Sequence, residues 1–368
     1  MDGIKEKNYL RDVGKSLFDL IKVEYIYKYI TTDFKTLHFL DKGTRHYNIA
    51  SKIGDELKLD NYIKLNNSKE LDINIKSDTV LYQILALSYL ENGYEVTKNL
   101  IMRNMDKEID YFIKNPIYDW KSIISDWSHR NKIKVNYMII NEYGPDNNKS
   151  FQVKLKVLDK ESIGNGKTKK EAEMVAAYNY CKRYFSKQKL NKYIINMEFK
   201  KYQLNADKLP LNRKKELEEI KKIGISDIWL LNQCFVHNSY LFENMDSKYE
   251  SYDNIAYLGT YVRDFIFEVF IYKNRERLEA RFGSLVNNIR GIIRARDLNI
   301  NIFNEADLSK YVLLGEAAKE STGIVDSIAS DVIRAILGAI HLSNVDLNSN
   351  FIKMYEQSIE QYLVHVKP

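Results

Sequence analysis

The sequence predicts a mixed fold, in which two all-helical domains flank one small domain of the order α-β-β-β-α. Residues 17–30 and 79–93 carry apolar side chains at three- and four-residue spacing, which is typical of amphipathic helices. Residues 150–159 alternate strictly between apolar and polar side chains, as in a strand with one buried face. From about residue 223 onward the helical spacing returns and indicates the second helical part.

Changes of pattern divide the chain into four predicted segments. Residues 1–115 form the first helical domain, and Pro116 stands at its end. Residues 116–187 form the α-β-β-β-α domain, and residues 188–222 read as a basic, mostly solvated linker with some helix. Residues 223–368 form the second helical domain.

Composition excludes several classes of protein. The net charge of +6 over 368 residues is small, so a nucleic-acid site must be a local basic patch. Cys181 and Cys234 lie in unlike contexts, which supports neither a disulfide framework nor a zinc site. The chain start lacks an apolar export core, and no apolar run approaches the roughly 18 residues of a membrane span. We expect an intracellular protein, in the cytoplasm or a mitochondrion, without a cofactor.

Three lysines mark the start of the last predicted helix of the middle domain. Lys167, Lys169 and Lys170 stand where the free backbone N–H groups of a helix also favour anions. The tripeptide at 166–168 spells the end of a phosphate-binding P-loop. That motif needs a glycine five positions earlier, where this chain has Glu161, so a P-loop is rejected.

Residues 117–186 resemble the double-stranded-RNA-binding domain over its full length. An A-form duplex hides its base edges in a deep major groove, so such a domain contacts 2′-hydroxyls in the minor groove and phosphates between grooves. Glu173 replaces the third basic position of the family's phosphate clamp. The RNA-contacting residues that this resemblance implies are Asp126, Asn147, Lys149, Lys167, Lys169 and Lys170.

Five stretches of the C-terminal part follow one another at 230–244, 252–265, 279–300, 311–321 and 330–343. In that order they resemble the helices of a ribonuclease III domain. Members of the family hold Mg²⁺ with four carboxylates. Carried over to this chain, those positions are Ala256, Thr260, Asp331 and Arg334, so one carboxylate of the four remains.

The N-terminal part shows a weaker form of the same resemblance. Residues 9–30 are similar to the family's signature helix, with Arg11 and Lys15 at the acid positions. Residues 77–93 are similar to its last helix, with Asp78 kept and Leu81 in place of the glutamate. An arbitrary amphipathic helical bundle is the alternative for this segment. Asp78 and Asp331 also suit the first turn of a helix, whose dipole favours a carboxylate.

The resemblance implies intramolecular pairing of two ribonuclease III-like domains through helices 9–30 and 252–273. We expect Gly14 and Gly259 to allow these helices to approach closely. With no metal site expected, the prediction is a non-catalytic binder that sequesters, protects or scaffolds structured RNA. One alternative is a structural component of a ribonucleoprotein, such as a mitochondrial ribosome or an RNA-processing complex. The other is an active metal-dependent ribonuclease that uses Asp253 and Asp264 beside Asp331.

Overall fold

The chain forms two compact units, one of residues Met1–Tyr111 together with Glu198–Pro368, the other of residues Phe112–Met197. The computed structural model describes residues 2–62, 76–116, 118–145, 149–191, 197–200, 209–220, 223–245, 248–283, 289, 291, 296–321, 324–343 and 350–365. None of the helices in these ranges is both long and apolar enough to cross a membrane. The predicted strand-containing domain lies within residues Phe112–Met197 and is therefore a compact unit of its own.

The N-terminal helical segment is built around a long first helix. Helix α1 (Asp2–Tyr25) continues into a π-helical segment (Ile26–Ile30). The elements that follow are α2 (Phe34–His46), α3 (Ile49–Glu56), a 3-10 turn (Leu59–Tyr62) and α4 (Ser77–Lys114). Asp33 caps α2 by accepting a hydrogen bond from the Thr36 N–H at 2.8 Å. The φ of 79° at Gly93 breaks the helical path of α4.

The unit of residues Phe112–Met197 contains a three-stranded antiparallel sheet in the order β1-β2-β3. Its elements are α5 (Trp120–Arg130), β1 (Val135–Tyr143), β2 (Ser150–Val157), β3 (Lys160–Gly166), α6 (Lys169–Tyr184) and α7 (Lys187–Asn191). Leu155 and Val157 on β2 join one core with Trp127 on α5 and Ala176 on α6. The predicted α-β-β-β-α order and the strict alternation of β2 are confirmed.

Most of the described buried apolar residues of the helical unit lie in its C-terminal segment. Its elements are α8 (Leu211–Glu218), α9 (Ile228–Gln233), α10 (Asn238–Glu243), α11 (Asp253–Lys273), α12 (Arg275–Phe282), α13 (Arg296–Glu305), a 3-10 turn (Leu308–Tyr311), α14 (Glu316–Ser321), α15 (Asp326–Leu342) and α16 (Asn350–His365). Helices α11 and α15 pack against each other along their length, and α1 contacts α11. The two helical segments therefore meet within one compact unit.

The two glycines expected between α1 and α11 face other helices. A Cβ on Gly14 would lie 1.6 Å from the Tyr82 carbonyl oxygen of α4, and one on Gly259 would lie 1.7 Å from the Arg334 carbonyl oxygen of α15. Tyr257 and Tyr261 stand two residues on either side of Gly259, and residues two apart point to opposite sides of a helix. Both tyrosines donate hydrogen bonds to Asp41 of α2, so the glycine on the opposite side faces α15.

The segment predicted as a solvated linker is partly built into the helical unit. The Lys200 carbonyl accepts a hydrogen bond from the Thr32 N–H at 2.6 Å. The Arg213 side chain on α8 is buried, and its guanidinium donates to Asn232 Oδ1 at 2.8 Å and to the Tyr311 carbonyl at 2.7 Å. The basic composition of this segment misled the prediction, because Arg213 satisfies its charge and donors inside the protein.

Candidate nucleic-acid interface

The start of α6 is fixed by a capping arrangement that positions the lysines around it. Thr168 Oγ1 accepts a hydrogen bond from the Glu171 N–H at 3.1 Å. The Glu171 carboxylate in turn accepts one from the Lys167 N–H at 2.8 Å. These two bonds satisfy backbone donors on either side of the first helical turn. The side chains of Lys167, Lys169 and Lys170 are all exposed there.

Strand register brings a fourth lysine to the same end of the sheet. Phe151 on β2 lies opposite Gly166 on β3 in the strand register, so the residue before β2 and the residues after β3 lie at the same end of the sheet. Lys149, which is exposed, therefore lies near the end of β3 from which Lys167 emerges. The structure thus gathers the predicted lysines around the start of α6.

The other two predicted RNA contacts are placed differently. Asp126 is exposed on α5, which packs on the sheet through Ile124 and Trp127. Asn147 lies outside the described residues, so its predicted role stays a prediction. A further ion pair joins Glu173 of α6 to Lys121 of α5. Sequence reasoning noted the acid at 173 but missed its partner, because nothing in the local pattern of α5 indicates it.

The four positions carried over from the ribonuclease III signature meet where α11 and α15 touch. Arg334 forms an ion pair with Asp331, and it donates to Thr260 Oγ1 at 3.1 Å. Thr260 Oγ1 also donates to the Ala256 carbonyl at 3.1 Å. One carboxylate that already pairs with a guanidinium, beside a hydroxyl and a methyl group, does not suit a divalent cation. These residues do not fit the metal that the fold family implies.

The corresponding N-terminal positions lie on α1 and α4. Arg11 pairs with its neighbour Asp12 at 2.9 Å, and Lys15 is exposed. Leu81 is buried in α4, and Asp78 lies in the first turn of that helix. The backbone of Tyr82 packs against Gly14 as the backbone of Arg334 packs against Gly259. Tyr82 therefore has the position on α4 that Arg334 has on α15.

The acids of the alternative nuclease site are already engaged. Asp253 accepts a hydrogen bond from the Asn238 amide, and Asp264 pairs with Arg263 at 2.8 Å. Among the described residues, no group of three or more His, Cys, Asp or Glu side chains could hold a metal ion.

Two family models match the chain. Residues 120–184 match the family described as double-stranded RNA binding motif, and residues 227–355 match the family described as ribonuclease-III-like. The first match covers the unit with the sheet, and the second covers α11 and α15. The RNA-binding part and the C-terminal ribonuclease III resemblance are thereby confirmed.

Curated relatives of the chain carry the name Ribonuclease 3. The protein from Borreliella afzelii (strain PKo) is 32% identical over 179 residues, which are 46% of this chain and 72% of the relative. That from Caldanaerobacter subterraneus subsp. tengcongensis is 28% identical over 180 residues, 46% of this chain and 77% of the relative. That from Protochlamydia amoebophila is 25% identical over 181 residues, 47% of this chain and 75% of the relative.

These relatives overturn one expectation from the sequence. Three of four carboxylates are replaced at the carried-over positions, and on that basis we predicted a chain that is not an enzyme. The three relatives named above all bear the name of an enzyme. Three substitutions among four positions were too narrow a basis for that prediction, which is wrong by this comparison.

Proposed function

Because this chain belongs to the ribonuclease III family, we propose that it binds double-stranded RNA through the unit of residues Phe112–Met197. The observation that carries the proposal is the group of exposed lysines around the capped start of α6, in a segment that matches the double-stranded RNA binding motif. Ammonium groups on lysines and free N–H groups at a helix start both favour phosphate oxygens. Asp126, Asn147, Lys149 and Lys167 are the further contacts that we propose.

The chemistry of the site predicts RNA over DNA. Hydroxyl-bearing minor grooves distinguish an A-form RNA duplex, and a polar residue such as Asp126 can accept a hydrogen bond from a 2′-hydroxyl. Lysines contact phosphates of any sequence. We therefore expect tight binding to duplex RNA with little sequence preference, and much weaker binding to DNA of the same sequence.

Replacement of Lys169 and Lys170 with alanine tests the interface. We expect affinity for duplex RNA to fall by roughly tenfold per lysine, since each charge-assisted contact is lost. The slope of log K against log salt is negative, and its magnitude should decrease by about one unit for each lysine that is replaced. Fluorescence anisotropy at several salt concentrations measures both quantities.

A matched control removes the same charge elsewhere on the unit. Lys156 and Lys160 are exposed at the opposite end of the β2–β3 ladder, where Lys156 lies opposite Glu161 in the strand register. Their double alanine variant should bind nearly as the unaltered protein does. An equal loss in both double variants would show that the start of α6 is not the interface.

We also propose that the two helical segments are paired ribonuclease III-like domains, with boundaries 1–115 and 223–368. The contact of α1 with α11 supports the pairing. So does the equivalent place of Gly14 and Gly259, each against a later helix of its own segment. In this arrangement the RNA-binding unit and the segment 188–222 lie between the paired domains in sequence.

Hydrolysis of the bound duplex is the second candidate function, and the name shared by the relatives favours it. This function predicts that purified protein cleaves duplex RNA with Mg²⁺ or Mn²⁺, and that Asp331→Asn lowers the rate while binding is unchanged. Full binding with intact RNA would contradict hydrolysis. The function would then be binding of structured RNA without cleavage, either by the protein alone or within a ribonucleoprotein.

A further inference from the structure

A carboxylate lies beside one of the two lysines at the start of α6. Glu142 on β1 pairs with Phe151 on β2, and Phe151 pairs with Gly166 on β3. Lys169 follows Gly166 by three residues, so one row across the sheet leads from Glu142 to Lys169. The register of the three strands, rather than sequence proximity, brings this acid and base together.

The contacts of Lys169 differ from those of its neighbour. Its ammonium lies 3.7 Å from Glu142 Oε1 and 5.5 Å from the centre of the Phe151 ring. Both charged side chains are about half exposed, at 56% and 44%. Lys170 is also exposed, and within the described part of the chain no carboxylate oxygen lies within 4.0 Å of its ammonium. In the protein without RNA, Lys169 is therefore already beside a carboxylate, whereas Lys170 is not.

We propose that Glu142 competes with RNA phosphates for Lys169 and thereby limits the affinity of this interface for duplex RNA. The inference rests on the proposed RNA-binding function and adds a residue that sets its strength. A phosphate that approaches Lys169 must replace the carboxylate or share the ammonium with it, and the two anions repel each other. Lys170 offers its charge without such competition.

The size of the effect follows from the exposure of the pair. Ion pairs between exposed side chains are weak, so removal of the carboxylate should raise affinity by about two- to fivefold. Salt screens such pairs strongly, with a Debye length of about 10 Å at 0.1 M and about 3 Å at 1 M. We therefore expect the gain to shrink as the salt concentration increases.

Glu142→Gln in the full chain is the direct test. The probe is an RNA duplex longer than the ~16 base pairs that such a domain spans, measured by fluorescence anisotropy. Glu161→Gln is the matched control, because it removes the same charge from an ion pair with Lys154 at the other end of the sheet. We expect Glu142→Gln to bind two- to fivefold more tightly, Glu161→Gln to bind as the unaltered protein does, and thermal unfolding to be unchanged in both.

Combined variants show whether Glu142 acts through Lys169. In a Lys169→Ala background the gain from Glu142→Gln should fall toward a factor of one, and in a Lys170→Ala background it should persist. An equal gain in both backgrounds, or none in the unaltered chain, would overturn the inference. If the unaltered chain did not bind duplex RNA, the proposed function itself would fail, which is a distinct result.

Discussion

Asp41 and Lys22 form a buried ion pair where α1, α2 and α11 come together. The Lys22 ammonium lies 2.9 Å from Asp41 Oδ1, and both side chains are 1% exposed. Asp41 Oδ2 accepts hydrogen bonds from the hydroxyls of Tyr257, at 2.7 Å, and Tyr261. Burial opposes ionisation of Asp41, but Lys22, Tyr261, Arg45 and Tyr257 outweigh it and lower the pKa of this carboxyl to about 2.

Asp41→Asn should destabilise the helical unit substantially. The variant leaves the Lys22 ammonium buried with Asp19, at 3.1 Å, as its remaining counter-ion among the described residues, and such losses cost about 3 kcal/mol. Because the pKa of Asp41 is depressed, its contribution is present above the ordinary value of 3.8 and is lost as the pH falls toward about 2. The variant should therefore lose less stability than the unaltered protein over that window, as measured by urea unfolding.

An exposed ion pair provides the control for Asp41→Asn. Glu360 lies 3.0 Å from Arg277, and its side chain is 49% exposed. Glu360→Gln should change the free energy of unfolding by less than about 1 kcal/mol. If Asp41→Asn were no more destabilising than Glu360→Gln, the buried pair would not be a significant contact between the helices.

Close approach of α11 and α15 depends on glycines in both helices. A Cβ on Gly259 would lie 1.7 Å from the Arg334 carbonyl oxygen, and one on Gly338 would lie 2.4 Å from the Ile255 carbonyl oxygen. The obstacles are backbone atoms, which cannot turn aside as a side chain can. Helices this close also bring Thr260 within hydrogen-bonding distance of Arg334.

Gly259→Ala should force the two helices apart. We expect a loss of about 3 kcal/mol or more, because the added methyl group overlaps the backbone of α15 and must displace it. Gly291→Ala is the control, since no atom of the described residues lies within 4 Å of a Cβ there, and it should change stability by less than about 1 kcal/mol. Thermal unfolding compares the variants, and similar melting temperatures would contradict the close packing.

Across the whole molecule, side chains from distant parts of the chain join the two helical segments. The His341 ring of α15 lies 2.9 Å from the Glu24 carboxylate of α1, and the Tyr94 hydroxyl of α4 donates to the same carboxylate. Burial opposes ionisation of Glu24, but His341, Lys28 and Tyr94 outweigh it and hold the pKa of Glu24 well below its ordinary value. The segments 1–115 and 223–368, predicted as separate domains, therefore contact each other through charged as well as apolar groups.

The sequence alone determined the features that depend on neighbouring residues. Period-two alternation located β2, and Lys167, Lys169 and Lys170 marked the start of α6 and its basic group. The same local patterns carried the resemblance to the two families that the comparisons confirmed. The resemblance to ribonuclease III also singled out Ala256, Thr260, Asp331 and Arg334, and the intervals of four and three residues within each pair place its members on one face of their helix.

Only the tertiary structure decided which faces meet. A helical pattern shows that a residue is buried but not against which helix, so Gly14 and Gly259 were assigned to the wrong contact. Pairs such as Asp41 with Tyr257 join residues far apart in sequence, and no local period relates their positions. Strand register brings Glu142 beside Lys169. The buried Arg213 donates hydrogen bonds to Asn232 on α9 and to the Tyr311 carbonyl. These contacts depend on how whole elements pack, because burial and charge pairing are properties of the assembled chain.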